Sequence, residues 1–353
     1  VKVPGNDAVI EGLELALKRA RQGTVRAVGV ILCEHGADSR FIGDENSRPN
    51  CYFGAGLLQR IIMDSLGTVQ DMKDQPPANV VSFDVNLNQV CFDFIPWLAT
   101  QEMIRRREGA PAPLRVIFKA SPYAINNYAV LRAGFIRDVI RPSLPLFGAT
   151  EGYIGERARE RGFAGLRDVA AGFNDGEEVP TITVPEPAME ATRKALQGRK
   201  PVTITLRETE YSTHRNSNIE EWRKLAMWLC SRGEDVIIIR DTAKASEGFP
   251  GFEICPAASK DLHTRSALYT QAKCNLFVQN GPFSLAQFSK TPWLLFASVD
   301  DEQPEEYNRP DKWGVFVPTN AEGQLLWATP QQRIIYGKDD FEVMQPAYEE
   351  LGL

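Results

Sequence analysis

The chain is poor in the features that usually betray a class at once. It has no run long and apolar enough to cross a bilayer and no basic-then-apolar leader at Val1. Its 3 histidines, His35, His214 and His263, are too far apart in sequence to make a metal motif. Its 6 cysteines (Cys33, Cys51, Cys91, Cys230, Cys255, Cys274) show no CxxC spacing, and several lie in apolar runs where Cys acts as a small hydrophobe. Neither a disulfide framework nor a zinc site is expected, and a reducing cytoplasmic setting fits. Positive charge is also short. A net charge of −6 argues against an indiscriminate nucleic-acid binder, though it permits a small basic pocket. There is no GxxxxGK[ST] phosphate loop and no GxSxG elbow, and Gly54-Ala55-Gly56 lacks the third glycine of a dinucleotide turn.

What remains is an ordinary globular composition, 43% apolar and 24% charged, in 353 residues, enough for two cores. Residues 1–75 read as an N-terminal α+β extension, with an amphipathic helix over Asp7–Gln22, a strand at Val25–Cys33, a hairpin return at Ser39–Gly43 and a helix over Gly56–Leu66. The polar, proline-bearing stretch Asp71–Asn79 is a linker. A βαβ rhythm starts at Val80–Val85. It continues with a helix over Phe92–Arg107, a strand at Leu114–Lys119, a helix from about Asn127 to Ile140 and a charged helix over Arg157–Arg167. A short β-like run, Thr181–Val184, sits among Pro180, Pro185 and Pro187. This passage and the charged Ala188–Lys200 mark a domain boundary, giving domains 76–187 and 188–353.

The second half is cleaner. Strands are expected at Val202–Arg207, Val236–Arg240, Phe252–Cys255, Asn275–Gln279 and Trp293–Phe296. Helices are expected at Ile219–Ser231, Asp261–Ala272 and Phe283–Lys290, with Gly233 as a C-cap. Alternating strands and helices predict an α/β class with a doubly wound sheet in each domain.

Arg207 closes a buried strand and opens a loop rich in donors, with Thr209, Arg215 and Asn216 among them. A planar guanidinium can bind two oxygens of a phosphate at once, so Arg207, Thr209, Arg215 and Asn216 are candidate ligands of a phosphate, with a solvated loop capped by Asn218 as the plain alternative. Asp241, just past its strand, either accepts from a sugar hydroxyl or pairs with Arg240 or Lys244. The turn Asn280-Gly281-Pro282 precedes a helix whose free N–H groups would face an anion, and Ser284 would cap that helix or touch the phosphate. In the first half, Asp84 at a strand end and Glu151 in the loop Ala149–Gly155 are the candidate acid or base groups, with Asn126 and Asn127 as further polar contacts.

On Arg207 and on the segment Asn280–Phe296, NGPFSLAQFSKTPWLLF, the region Pro201–Val299 resembles the nucleotide-binding domain of GT-B-type glycosyltransferases, particularly heptosyltransferase-like and fucosyltransferase-like members. Asn280-Gly281 and Thr291-Pro292 stand where that superfamily has a small residue plus Gly before a helix and a small-Pro step into a strand. The single Arg in Leu206-Arg207-Glu208 departs from the fucosyltransferase doublet. Glu342 and Glu350 have the spacing of the glutamate pair of some retaining enzymes but lack the accompanying glycine-rich loop. The resemblance implies two Rossmann-like domains, a nucleotide-diphosphate sugar on the C-terminal domain and an acceptor (a glycan, a lipid-linked sugar or a protein) on the N-terminal one. It also implies no metal and no separate cofactor. A nucleotide-sugar epimerase and a non-catalytic binding or scaffold protein are the competing expectations.

Overall fold

A computed structural model describes residues 76–86, 88, 90–120, 133–153, 156–160, 165–210, 213–297 and 319–353. The chain divides into two units, Val1–Gln75 with Arg161–Phe163 and Pro76–Glu160 with Ala164–Leu353. Every described residue belongs to the second unit. The expected N-terminal extension and Asn126 and Asn127 lie outside the described residues.

Two parallel sheets with covering helices make the unit an α/β structure. The first comprises β1 (Val80–Asp84), β2 (Arg115–Lys119), β3 (Thr150–Glu151) and β4 (Arg159–Glu160), in the order β3-β2-β1-β4. The second comprises β5 (Val202–Thr205), β6 (Val236–Ile239), β7 (Glu253–Ile254), β8 (Cys274–Val278), β9 (Trp293–Ala297) and β10 (Gln332–Tyr336), in the order β10-β9-β8-β5-β6-β7. All neighbouring strands run parallel. Every residue of β5, β6, β8 and β9 is buried, which is why these strands read as nearly unbroken apolar runs.

Each face of the second sheet has its own core. On one, Ile204, Ile238, Leu276, Leu294 and Phe296 pack against the helices Ile219–Ser231 and Phe341–Glu349. On the other, Ile237, Ile239, Phe277 and Leu295 share a single cluster with Val81, Phe83 and Phe94 of the first half, so one apolar layer joins the two sheets. Phe147 and Phe288 meet edge to face across it, ring centres 5.7 Å apart.

Three expectations change. The charged helix over Arg157–Arg167 is absent: Arg159–Glu160 is β4, paired with β1, and the next helix begins at Leu166. Arg159 is drawn into that strand because Nε donates to the Pro76 carbonyl and Nη1 pairs with Glu108, ties a surface helix would not make. The helix after Pro282 is short, Phe283–Ala286, rather than reaching Lys290. Past Ala286 the amides shift to the third residue back, Phe288 N to Leu285 O and Ser289 N to Ala286 O, and the free carbonyls of Gln287, Phe288 and Ser289 are then claimed by Trp327 Nε1, Ile182 N and Gln332 Nε2. Finally, Thr181–Val184 joins no ladder. Ile182 N donates to Phe288 O in the second half and Thr183 N to Leu146 O in the first, at 2.8 and 2.7 Å. Strand β10 had no counterpart in the sequence reading. Among the described residues no helix is long and apolar enough to cross a membrane.

Candidate active site

Both sheets share one piece of topology. The chain leaves β1 towards β2 and β3 and returns to β1's other side as β4. It leaves β5 towards β6 and β7 and returns to β5's other side as β8. Connections diverge at such switch points, opening a crevice at the carboxyl ends of the central strands where ligands of open α/β sheets bind. Of the described residues, 85, 86, 88 and 90–93 edge the crevice in the first sheet, and 206–210, 213–218 and the turn after β8 edge it in the second.

The second-sheet loop is held internally. Arg207 is 4% exposed and its Nη1 donates to Asn216 Oδ1 at 2.7 Å. The same oxygen accepts from Thr209 N at 3.0 Å, while Asn216 Nδ2 donates to Thr209 O at 2.8 Å. Arg207 N donates to Ser217 Oγ and Ser217 N to Arg207 O, both at 2.9 Å. Asn216 thus acts as the clamp that fixes Arg207 and Thr209. Arg215 bridges the crevice: Nη2 donates to Gln279 O at 3.1 Å, joining the loop after β5 to the end of β8. Glu208 pairs with Arg240 and Lys244. Burial pushes its carboxyl up, but hydrogen bonding and charge from Arg240, helped by Lys244, bring it below the usual glutamate range. Asp241 pairs with neither cation. Its Oδ2 accepts from Glu208 N at 3.4 Å, tying the ends of β5 and β6 together.

From the first sheet comes Asp93, at the N-cap of the helix Phe94–Arg107. An N-cap Asp normally accepts from its own helix, yet this side chain makes no capping bond. Its Oδ2 accepts from Cys91 Sγ at 3.2 Å, and Asp93 N in turn donates to Cys91 Sγ at 3.4 Å. Burial raises the Asp93 carboxyl above the ordinary aspartate range, while the Cys91 hydrogen bond and the charge of Arg215 pull it partway back. Burial also lifts the Cys91 thiol, which therefore stays protonated and donates. Asp93 was missed in the sequence. The available signal was an Asp directly before an apolar helical run, which reads as a plain cap.

The turn Asn280-Gly281-Pro282 lies beside this contact. Asn280 Oδ1 accepts from Phe283 N at 3.2 Å, Pro282 keeps φ −55°, and Ser284 N donates to Gly281 O. Gly281 does not have positive φ; a Cβ there would lie 2.4 Å from Phe92 Cδ2. The missing side chain admits the Phe92 ring from the first half. The four-residue helix that follows presents a weaker dipole to an anion than the expected longer one.

Asp84 closes β1 at the switch point itself, whereas Glu151 stands apart from the crevice. Asp84 Oδ1 accepts from Asn86 N at 2.8 Å, forming the turn that leaves β1. Glu151 is exposed on edge strand β3, two strands from the switch point, and takes a two-bond grip from Arg141 at 3.0 Å each. Among the described residues no group of three or more His, Cys, Asp or Glu could hold a metal ion.

No family profile matches this sequence, and no curated protein does. Among solved structures the chain is similar, at low identity, to several glycosyltransferases. ADP-heptose lipopolysaccharide heptosyltransferase II of E. coli is 11% identical over 74% of this chain and 74% of that one, with a TM-score of 0.36. TibC, an iron-containing dodecameric glycosyltransferase of enterotoxigenic E. coli, is 14% identical over 79% and 77%, TM-score 0.43. A family 9 glycosyl transferase of Veillonella parvula is 10% identical over 77% and 96%, TM-score 0.41.

Proposed function

We propose that the protein is a glycosyltransferase that moves a sugar from a nucleotide-diphosphate sugar to a hydroxyl of a glycan, lipid-linked or protein acceptor. The observation that carries the reading is a half-buried carboxylate from one switch point within electrostatic reach of a guanidinium from the other: Asp93 and Arg215. In this reading Asp93 is the general base and residues 188–353 hold the donor, with the acceptor on residues 76–187. Asp93 takes the proton of the acceptor hydroxyl as that oxygen attacks the anomeric carbon. The bond from that carbon to the diphosphate oxygen breaks, and the nucleoside diphosphate leaves with the electron pair. A single displacement of this kind inverts the anomeric centre. A carboxyl raised by burial is a stronger base than a solvated one, and the work required of it is typically about 10²–10⁴-fold in rate. Arg215 and Arg207 stabilise the charge growing on the diphosphate, the part a metal ion plays in other designs.

A thermal-shift panel of ADP, CDP, GDP and UDP tests the donor half. A nucleotide that binds only the folded protein adds about 2.7 kcal/mol at a hundredfold excess over Kd. Failure of all four to raise the melting temperature would remove the donor site. Conversion of a nucleotide-sugar without acceptor would replace the reading by an epimerase, and binding without turnover by a binding protein.

A further inference from the structure

Arg265 lies in the helix Leu262–Gln271, is 6% exposed, and pairs with no carboxylate among the described residues. The side chain makes one hydrogen bond, from Nε to the Ala258 carbonyl, leaving both terminal nitrogens of the guanidinium without a protein partner. A cation so little exposed is costly without a counter-charge, and the nearest carboxylate along the chain, Asp261, is engaged in capping the helix, its Oδ1 accepting from Thr264 N at 2.7 Å. The guanidinium therefore calls for an anion from outside.

Its position says which anion. Thr203 and Thr205 of β5 face this helix: Thr203 Oγ1 donates to Asn275 Oδ1, Asn275 Nδ2 donates to the Tyr269 carbonyl, and Thr205 Oγ1 meets Tyr269 Oη at 2.8 Å. Because β7 and β8 are parallel to the strands between them, the helix joining them runs back against the strands. Going from Tyr269 to Arg265 therefore moves towards the carboxyl edge by about 6 Å, four residues of helix. Going from Thr205 to Arg207 moves the same way by about 6.6 Å, two residues of strand on the same face. Extended pairing persists to that level, since Leu206 N still donates to Ile239 O. The Tyr269 backbone is anchored at Asn275, level with Thr203, so the Arg265 backbone stands about level with Thr205, and its side chain, which on a helix leans towards the N-terminus, carries the guanidinium on towards the level of Arg207.

We infer that Arg265 and Arg207 form a two-guanidinium subsite for a phosphate group of the donor's diphosphate, with Arg265 supplying the half that has no partner inside the protein. The inference rests on the donor reading above, and the test separates the two. Inorganic pyrophosphate, and whichever of ADP, CDP, GDP and UDP stabilises the wild type most, are titrated calorimetrically into full-length wild type, Arg265→Met and Arg265→Lys. Arg265→Met is expected to lose at least tenfold in affinity for both probes and to show a shallower salt dependence, with a ligand-free melting temperature equal to or above wild type because an uncompensated charge has gone. Arg265→Lys is expected to lose less, since it keeps the charge but not the fork. Wild-type affinity in a folded Arg265→Met protein overturns the subsite while leaving the donor reading intact. Should Arg265→Met fail to fold, Arg265→Lys decides: unchanged affinity and unchanged salt dependence overturn it. A wild type that binds neither probe overturns the donor reading first, and this subsite with it.

Discussion

The carboxyl edges of the two sheets are built on the same winding and equipped in opposite ways. Around β5 and β8 the loops carry Arg207, which Asn216 holds together with Thr209, and Arg215, which is tied to the Gln279 carbonyl. Around β1 the edge offers a half-buried acid, Asp93, which meets a thiol and feels the guanidinium from across the crevice. One topology therefore supplies a place, while the residues set there divide the labour: fixed positive charge on one side, a proton acceptor on the other.

The largest expected effect breaks the acid side alone. Asp93→Asn should lower the transfer rate by about 10²–10⁴-fold while leaving nucleoside diphosphate affinity within about threefold, read by steady-state kinetics and calorimetry. It should also stabilise the fold. The native carboxyl is raised, so the native state holds its proton longer than the unfolded chain does, and wild-type stability falls as pH climbs through the ordinary aspartate range. The gain from Asp93→Asn should therefore be present at neutral pH and vanish below that range in denaturant titrations. A flat difference across pH would refute the raised pKa.

Breaking the cationic side comes next. Arg215→Met should weaken nucleoside diphosphate binding by about 1.5–3 kcal/mol, the range of a charge-assisted hydrogen bond, and shift the acid limb of the rate profile to higher pH as Asp93 loses a neighbouring charge. Binding equal to wild type would assign Arg215 to bracing Gln279 alone.

Gly281→Val tests how the sides meet. Its Cβ would collide with Phe92 rather than with a ligand, so a loss of about 1–3 kcal/mol in stability is expected, the usual scale of overpacking. Phe92→Leu in the same chain should restore part of it. An additive double mutant would show that the ring and the glycine do not touch.

Smaller again is Cys91→Ala. Its thiol holds the Asp93 carboxyl down, so removal should move the acid limb of kcat/KM upward in pH with little change in the plateau, whereas Cys91→Ser should keep the wild-type limb. Glu151→Gln should change turnover by less than about twofold, because a solvent-exposed pair with Arg141 contributes about 0–1 kcal/mol and lies off the crevice.

Much of this frame was legible in the residues. Buried parallel strands announce themselves as apolar runs, so β5, β6, β8 and β9 fall where the sequence put them to within a residue or two, and Ile219–Ser231 matches at both ends. The edge strands were harder. Thr150–Glu151 and Arg159–Glu160 are two residues each and polar, so nothing in their pattern distinguishes strand from helix or loop. The site divided similarly. Arg207, Thr209, Arg215 and Asn216 could be picked out because a donor-rich loop after a strand is a local pattern. Asp93 could not, since its meaning depends on Arg215, more than a hundred residues away, and on a capping bond it declines to make. The turn at Gly281 stood out in the sequence, but the group that fills the space of its missing side chain, Phe92, lies far away along the chain and could not be read there.

The linker between the two halves has a mechanical consequence. Ile182 and Thr183 are consecutive, yet their amides are anchored in opposite halves, to Phe288 and to Leu146. Any movement that slides Leu146 away from Phe288 must release one of them, at a net cost of about 0.5–1.5 kcal/mol, while a swing about the line through both releases neither. We expect the crevice to open by such a swing, with both amides staying protected from hydrogen exchange while substrates come and go; rapid exchange at either during turnover would contradict it. The two adjacent amides therefore set an axis rather than a barrier, and the shared apolar layer and the bond between His263 Nε2 and the Pro142 carbonyl set how far the swing can go.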